Sequence, residues 1–199
     1  CTAAQMPRLV GLAMASKLYR TEGVFDDVKF SVNGNEVAWG TIGNASTSEG
    51  LFFESINAAG VHQIPMVISV WDDDYGISVD NSFQTVKGSI SEALAGFQRS
   101  KTKTGFEIFT VQGWDYPNLI HTFQKAGEIA RTHHVPVLIH VTELPQPQGH
   151  STSGSHERYK SEERLEWEKQ NDCNRRFRTW ILDSKIATET ELIEIEKST

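Results

Sequence analysis

The stretch "EVAWGTIGNASTSEGLFFESINAAGVHQIPMVISVWDDD", residues 36–74, decides the architecture. Its first part, "VAWGTIG", has the length and composition of a short buried strand. Gly, Asn, Ser and Thr then crowd residues 43–50, where that strand hands over to a helix. Residues 47–60 read as the helix, with Ser46, Thr47 or Ser48 as its cap and Glu49 in its first turn. Leu51, Phe52, Phe53, Ile56, Ala58 and Ala59 cover more than one face, which predicts burial on two sides. Pro65 opens "PMVISVW", a continuous apolar run with β-branched residues, as expected of a central parallel strand. Strand, helix and strand in this order form a βαβ unit.

Working outward, the same alternation continues. Upstream, Pro7 suits a first helical turn, and Leu9, Val10, Leu12, Ala13 and Leu18 give that helix an apolar face. "SVNGNE" supplies an Asn-Gly turn. Downstream, "SISEALAGFQ" (89–98) is a short helix, "FEIFTVQ" a strand, "DYPNLIHTFQKAGEIARTHH" a long helix and "VPVLIHVTEL" a fourth strand. A Pro-, Gln-, Gly-, Ser- and His-rich segment, 145–156, reads as an exposed loop. Three helices follow, in "SEERLEWEKQ", "CNRRFRTWILDSK" and "TETELIEIEK". The class is therefore α/β, with a mostly parallel sheet flanked by helices in one domain, 1–199. The loop falls at 145–160 and C-terminal helices at 161–199.

Composition narrows the function. Hydrophobic residues make up 38% and charged residues 23%, which marks a globular chain. A net charge of −7, without a basic stripe, argues against nucleic acid. No apolar run approaches the roughly 20 residues that span a bilayer. Cys1 and Cys173 give neither a disulfide framework nor metal-ligand spacing, which suits a reducing cytoplasm. The first residue is Cys1 and not Met, and "QMPRLVGLAMASKLY" reads as helix in mid-architecture, so a piece of a longer polypeptide is expected.

In parallel sheets, ligands sit at the carboxyl ends of strands. "GNASTSEG", "DDDYG" and the loop after "VTEL" should all fall there. A tight turn opening a helix offers backbone N–H groups to an anion, though an ordinary capped helix has the same sequence signature. Three carboxylates at 72–74 read either as a solvated turn or as neighbours of a hard cation such as Mg²⁺. If the first two strands pair, Asn44 and one aspartate lie side by side. His133 and His134 suit a helix C-terminus. His62 and His121 read as surface or packed residues.

The stretch "GNASTSEGLFFESINAAGVHQIPMVISVWDDDYGIS", together with "GHSTSGSHERY" (149–159), resembles the α subunit of the first, decarboxylating component of 2-oxo acid dehydrogenase complexes. That family's pattern is a strand ending in G-D-G, a helix, a strand ending in N-N followed by Tyr or Phe and "AIS", and later a G-H-S-T-S-D loop. The resemblance implies a thiamine-diphosphate-binding fold and a thiamine diphosphate and Mg²⁺ site. Matched residue by residue, it implies Asn44, Asp73 and the Tyr75 carbonyl as metal ligands. It puts Gly43 and Ala45 at the diphosphate and His150 at the cofactor's phosphate end. Trp71 would wall the site. Glu54 matches an acid thought to couple two active sites, but the neighbouring acid of that path is Leu51 here. Ser151 matches a serine phosphorylated in mitochondrial relatives.

The departures read as an exchange. G-D-G has become "GNA" and N-N has become "DD", so amide and carboxylate have traded places across the cation. Asp72 adds a further negative charge. Ala45 requires negative φ. The resemblance further implies oxidative decarboxylation of pyruvate or a branched-chain 2-oxo acid such as 2-oxoisovalerate, with acyl transfer to lipoamide. It implies a β-type subunit or domain, a lipoyl acyltransferase partner and a dimer or heterotetramer. This fragment would hold the diphosphate and metal half of the site and be inactive alone. A transketolase-like enzyme and a pseudo-subunit kept for assembly are the rival readings.

Overall fold

The computed structural model describes residues 2–21, 29–150 and 154–199. Helix α1 (Met6–Thr21) leads to strand β1 (Ala38–Gly43), a 3-10 turn at Ala45–Ser48, helix α2 (Gly50–His62) and strand β2 (Met66–Trp71). A small hairpin follows, β3 (Tyr75–Gly76) and β4 (Val79–Asp80), and then the one-turn helix α3 (Ile90–Ala93). Strand β5 (Glu107–Gln112), helix α4 (Tyr116–His133) and strand β6 (Val137–Thr142) complete the sheet. Helices α5 (Glu162–Gln170), α6 (Cys173–Asp183) and α7 (Glu189–Ser198) close the chain. Among the described residues, no helix is long and apolar enough to cross a membrane.

The four long strands run parallel in the order β1-β2-β6-β5, as the βαβ reading requires. Strand β2 is buried on both faces, which is why its sequence is apolar without alternation. Met66, Ile68 and Val70 pack with Met6, Leu9, Phe52, Ile56 and Leu138 beneath α1 and α2. Val67 faces the other way and packs with Val137, Ile139, Ala126 and Ala130 beneath α4. Helices thus cover both sides of one sheet.

Three local expectations are corrected. Helix α2 buries Phe52, Ser55, Ile56 and Ala59, a single face, while Phe53 and Val61 are exposed. It lies on one side of the sheet, and its outer face is left open among the described residues. On α1 the buried stripe is Met6, Leu9, Ala13 and Ser16, and Leu12 and Leu18 are exposed. At the start of α2, Ser46, Thr47 and Ser48 form the 3-10 turn instead of a cap. Glu49 takes the cap position, and its carboxylate accepts bonds from the Thr2 backbone N–H (2.8 Å) and hydroxyl (2.7 Å).

The Asn-Gly turn is present, with Asn33 at φ 57° and Gly34 at φ 63° and a bond from the Asn35 N–H to the Val32 carbonyl. Both central residues in the left-handed region make it a type I′ turn. The Gly34 carbonyl accepts from Arg20 Nη2 (3.0 Å) and faces His134 Nε2 at 2.8 Å. His134 itself ends α4 in the left-handed conformation. The turn therefore ties α1 to the end of α4.

Two outcomes follow from this node. A Cβ at Gly34 would lie 2.3 Å from the Ser16 carbonyl oxygen and 2.9 Å from the Arg20 nitrogen, both backbone atoms. Gly34→Ala is expected to cost about 2–4 kcal/mol, from left-handed strain plus overpacking, measured by urea unfolding. Burial pushes the His134 imidazole below its ordinary value of 6.5, outweighing the bond to Gly34. The unfolded chain then takes up the proton first as pH falls through 6.5. This contribution to stability is complete above that pH and declines as pH drops toward the folded-state value. His134→Asn, which tolerates the same backbone, should flatten the fall in melting temperature between about pH 7 and 5.

Candidate functional site

Register brings the three polar segments together. Gly43 pairs with Trp71, and Trp71 with Val141, so the ends of β1, β2 and β6 lie in one row. The ladder continues one residue further. The Asn44 N–H donates to the Trp71 carbonyl (3.1 Å), and the Asp72 N–H to the Val141 carbonyl (2.9 Å). A cleft of about 620 Å³ opens there, and Gly43, Asn44, Ala45, Trp71, Asp73, Tyr75 and His150 all line it. Glu54 is exposed on α2 and does not line it, and Leu51 packs against the core. Ser151 lies outside the described residues.

The three aspartates point three ways. Asp72, 3% exposed, faces inward, and its Oδ2 lies 2.8 Å from His140 Nε2. Its other oxygen accepts from the Asp74 N–H at 2.9 Å. That bond folds the chain into a tight Asx turn, with Asp74 at φ 68°. Asp74 forms an ion pair with Arg164, which also donates to the Asp73 carbonyl (2.9 Å). Asp73 alone lines the cleft, with one carboxylate oxygen accepting from the Tyr75 N–H at 3.2 Å. Burial pushes the Asp73 carboxyl above its ordinary range, partly offset by the backbone bonds and by Lys160. The extra charge at Asp72 is thus spent on the interior and not on the cleft.

Asn44 is 3% exposed, and its Nδ2 is buried without a hydrogen-bond partner. Such an orphan is costly and marks a place where a further polar group belongs. Among the described residues, no cluster of three or more His, Cys, Asp or Glu side chains could hold a metal. A different donor set is present: an amide oxygen at Asn44, a carboxylate at Asp73 and a carbonyl at Tyr75. All are hard oxygens of the kind Mg²⁺ takes while keeping waters or phosphate oxygens. By kind these oxygens suit the cation, while the orphaned Asn44 Nδ2, a donor, suits an acceptor such as a phosphate oxygen.

The backbone is shaped to match. A Cβ at Gly43 would meet nothing within 4 Å, so its main chain is open to a ligand. Ala45 is not among the residues with positive φ, so its methyl group brings no strain. Gly76 must lack a side chain, because a Cβ there would lie 2.6 Å from that of Ala45. The hairpin carrying Tyr75 therefore seats directly on the 3-10 turn. At its tip Ile77, a β-branched residue, has φ 60°, a conformation that costs of order 1–3 kcal/mol.

Other residues of the site were not legible beforehand. Lys160 and Glu168 form a buried ion pair, with Lys160 Nζ at 2.7 and 3.0 Å from the two carboxylate oxygens. Arg164 Nε joins the same carboxylate at 3.0 Å. Lys160 Nζ sits 5.3 Å from the Tyr75 ring centre and also donates to the Gln146 carbonyl (3.3 Å). The segment 145–156, expected to be an exposed loop, is exposed at 147–148 and 154–155 but is anchored at its start by the bond from Lys160 to Gln146. Pro145 is buried, and His150 and Gln146 are half-buried at the cleft. In sequence these charges look like the solvated face of "KSEERLEWEKQ", and no local signal separates them from it. His140 gave a signal, a lone polar residue inside the apolar run "VLIHV".

The family described as "Dehydrogenase E1 component" matches residues 1–199. The chain is 27% identical over 195 residues to the pyruvate dehydrogenase E1 component subunit alpha of Rickettsia felis, covering 98% of this chain and 53% of that protein. It is 25% identical over 194 residues to the 2-oxoisovalerate dehydrogenase subunit alpha of Bacillus subtilis, covering 98% of this chain and 51% of that protein. A mitochondrial pyruvate dehydrogenase E1 alpha subunit of Solanum tuberosum is 27% identical over 198 residues, with 98% and 44% covered. The chain spans about half the length of the curated relatives it matches. With a family match running from the first residue to the last, the chain belongs to the dehydrogenase E1 component family.

Proposed function

We propose that the chain is the diphosphate- and metal-holding part of a thiamine-diphosphate-dependent 2-oxo acid dehydrogenase, built on a thiamine-diphosphate-binding fold. The observation that carries the reading is the meeting of Asn44, Asp73, Tyr75 and His150 on one cleft at paired strand ends, with Asn44 Nδ2 left without a partner among the described residues. The relatives named for pyruvate and 2-oxoisovalerate support a 2-oxo acid as substrate.

When bound, thiamine diphosphate supplies the electron sink that lets a 2-oxo acid lose CO₂. This chain's residues bind and orient. Asn44, Asp73 and the Tyr75 carbonyl would hold Mg²⁺, and one amide and one carboxylate give it the same protein charge as the family's exchanged pair. The main chain at Gly43 and Ala45 would approach the diphosphate. By position, the first N–H groups of the 3-10 turn lack intrahelical partners and suit phosphate oxygens. Trp71 would wall the cleft, and His150 would donate to the phosphate end. Glu54, on the uncovered face of α2, would act only across a contact with another subunit. A β-type subunit or domain would complete the active centre in a dimer or heterotetramer. A lipoyl acyltransferase would receive the acyl group on lipoamide, in the cytoplasm.

A pseudo-subunit would share the fold and lack the cation. The two readings separate on the full-length protein with its partner subunit. Thiamine diphosphate should raise the melting temperature only when Mg²⁺ is present, and at about 100 times its dissociation constant should add about 2.7 kcal/mol. Asp73→Asn removes the one carboxylate and should raise the Mg²⁺ requirement at least about tenfold. Asn44→Asp alone buries an unpaired charge and should lower stability without ligand. The double variant restores one amide and one acid and should recover Mg²⁺ dependence. Additive damage in the double variant would refute the exchange.

A further inference from the structure

We propose that His140 is a positioning residue for the cation-binding turn: acting through Asp72, it fixes the backbone that aims Asp73 and the Tyr75 carbonyl into the cleft. The inference rests on the functional reading above.

The imidazole is 1% exposed in the middle of β6, and both of its nitrogens are engaged. Nε2 lies 2.8 Å from Asp72 Oδ2, and Nδ1 lies 2.8 Å from the Ser91 hydroxyl. Ser91 is in turn 3.2 Å from Ser89, the residue that caps α3. The ring is therefore fixed in position and rotation by groups from two other elements.

Asp72 is the hub on the other side. Its Oδ1 accepts from the Asp74 N–H and so sets the turn that contains Asp73. Its Oδ2 also faces Asn81 Nδ2 at 3.4 Å. Asn81 donates to the Gly88 carbonyl (2.9 Å), and its own N–H donates to the Asp74 carbonyl (2.8 Å). Asn81 directly follows β4, the partner strand of Tyr75. One carboxylate thus holds both the turn of Asp73 and the hairpin of Tyr75, and His140 Nε2 makes its shortest contact, at 2.8 Å.

The line of Ser91, His140 and Asp72 has the order of a nucleophile relay, but none of the three lines the cleft. Its placement serves geometry. Without the imidazole, Asp72 would be a buried carboxylate short of a partner, and such a group is costly. Relief comes by turning toward the cleft, which releases the Asp74 N–H and lets Asp72 compete with Asp73 for the cation. Partners that orient a metal's ligands typically matter by 10–100-fold in affinity.

The test uses the full-length protein with its partner subunit. The readout is the Mg²⁺ concentration giving half of the thiamine diphosphate-induced shift in melting temperature. His140→Gln keeps a donor toward Asp72 and should stay within about 1.5-fold of the unaltered protein. Asp72→Asn combined with His140→Leu leaves no unpaired charge, so the fold should persist, and half-saturation should rise at least about tenfold. Unchanged half-saturation in the double variant overturns the proposal alone. Absence of any Mg²⁺ dependence in the unaltered protein overturns the functional reading, and the proposal with it. If the double variant does not fold, Ser91→Ala removes only the bond to Nδ1. A rise of about threefold then supports the proposal, and no rise overturns it.

Discussion

The parallel pairing of β1 with β2 is the constraint on which the site depends. Its last rung joins Gly43 to Trp71, and one more bond carries the ladder to Asn44. A one-residue slip would turn every side chain of either strand to the opposite face. It would also move Asn44 out of line with Asp73. The burial of Met66, Ile68 and Val70 on one side and Val67 on the other forbids that slip. Core packing therefore sets the distance between two polar groups that lie outside the core.

Around that ladder, charge is divided by direction. Three adjacent carboxylates would repel one another if all faced one cleft. The turn sends the first inward to an imidazole and the third outward to a guanidinium, leaving the middle one on the cleft. A second set of charges, Lys160, Glu168 and Arg164, braces the same turn from the loop side. Buried pairs of this kind give little net stability relative to apolar residues. What they give here is a defined position for Asp73 and Tyr75.

The fold was legible because each strand and helix is written in local terms. "PMVISVW" between a turn and an acidic run reads as a central strand, and "NG" at 33–34 as a type I′ turn. Where a motif marks the chain, the residues it singles out, Asn44, Asp73, Tyr75 and His150, line one cleft. Features set by tertiary placement escaped the reading. The outer face of α2 has the composition of buried surface, yet Phe53 and Val61 stay exposed among the described residues. Lys160 and Glu168 are eight residues apart, and only the path of the intervening chain buries them together. Asp72 looked like surplus charge because its partner lies 68 positions away.

The clasp at Lys160 bears on how the loop it closes can vary between relatives. Lysine holds the Gln146 carbonyl at one end while its ammonium stays with Glu168 at the other. The ends are thus joined by the scaffold and not by the intervening chain. Lengthening a closed loop is cheap, with each doubling adding only about 0.6 kcal/mol. A change in loop length would therefore leave the anchorage intact. Such a loop can vary in length while Lys160 and Gln146 hold its base, provided that His150 keeps its place on the cleft.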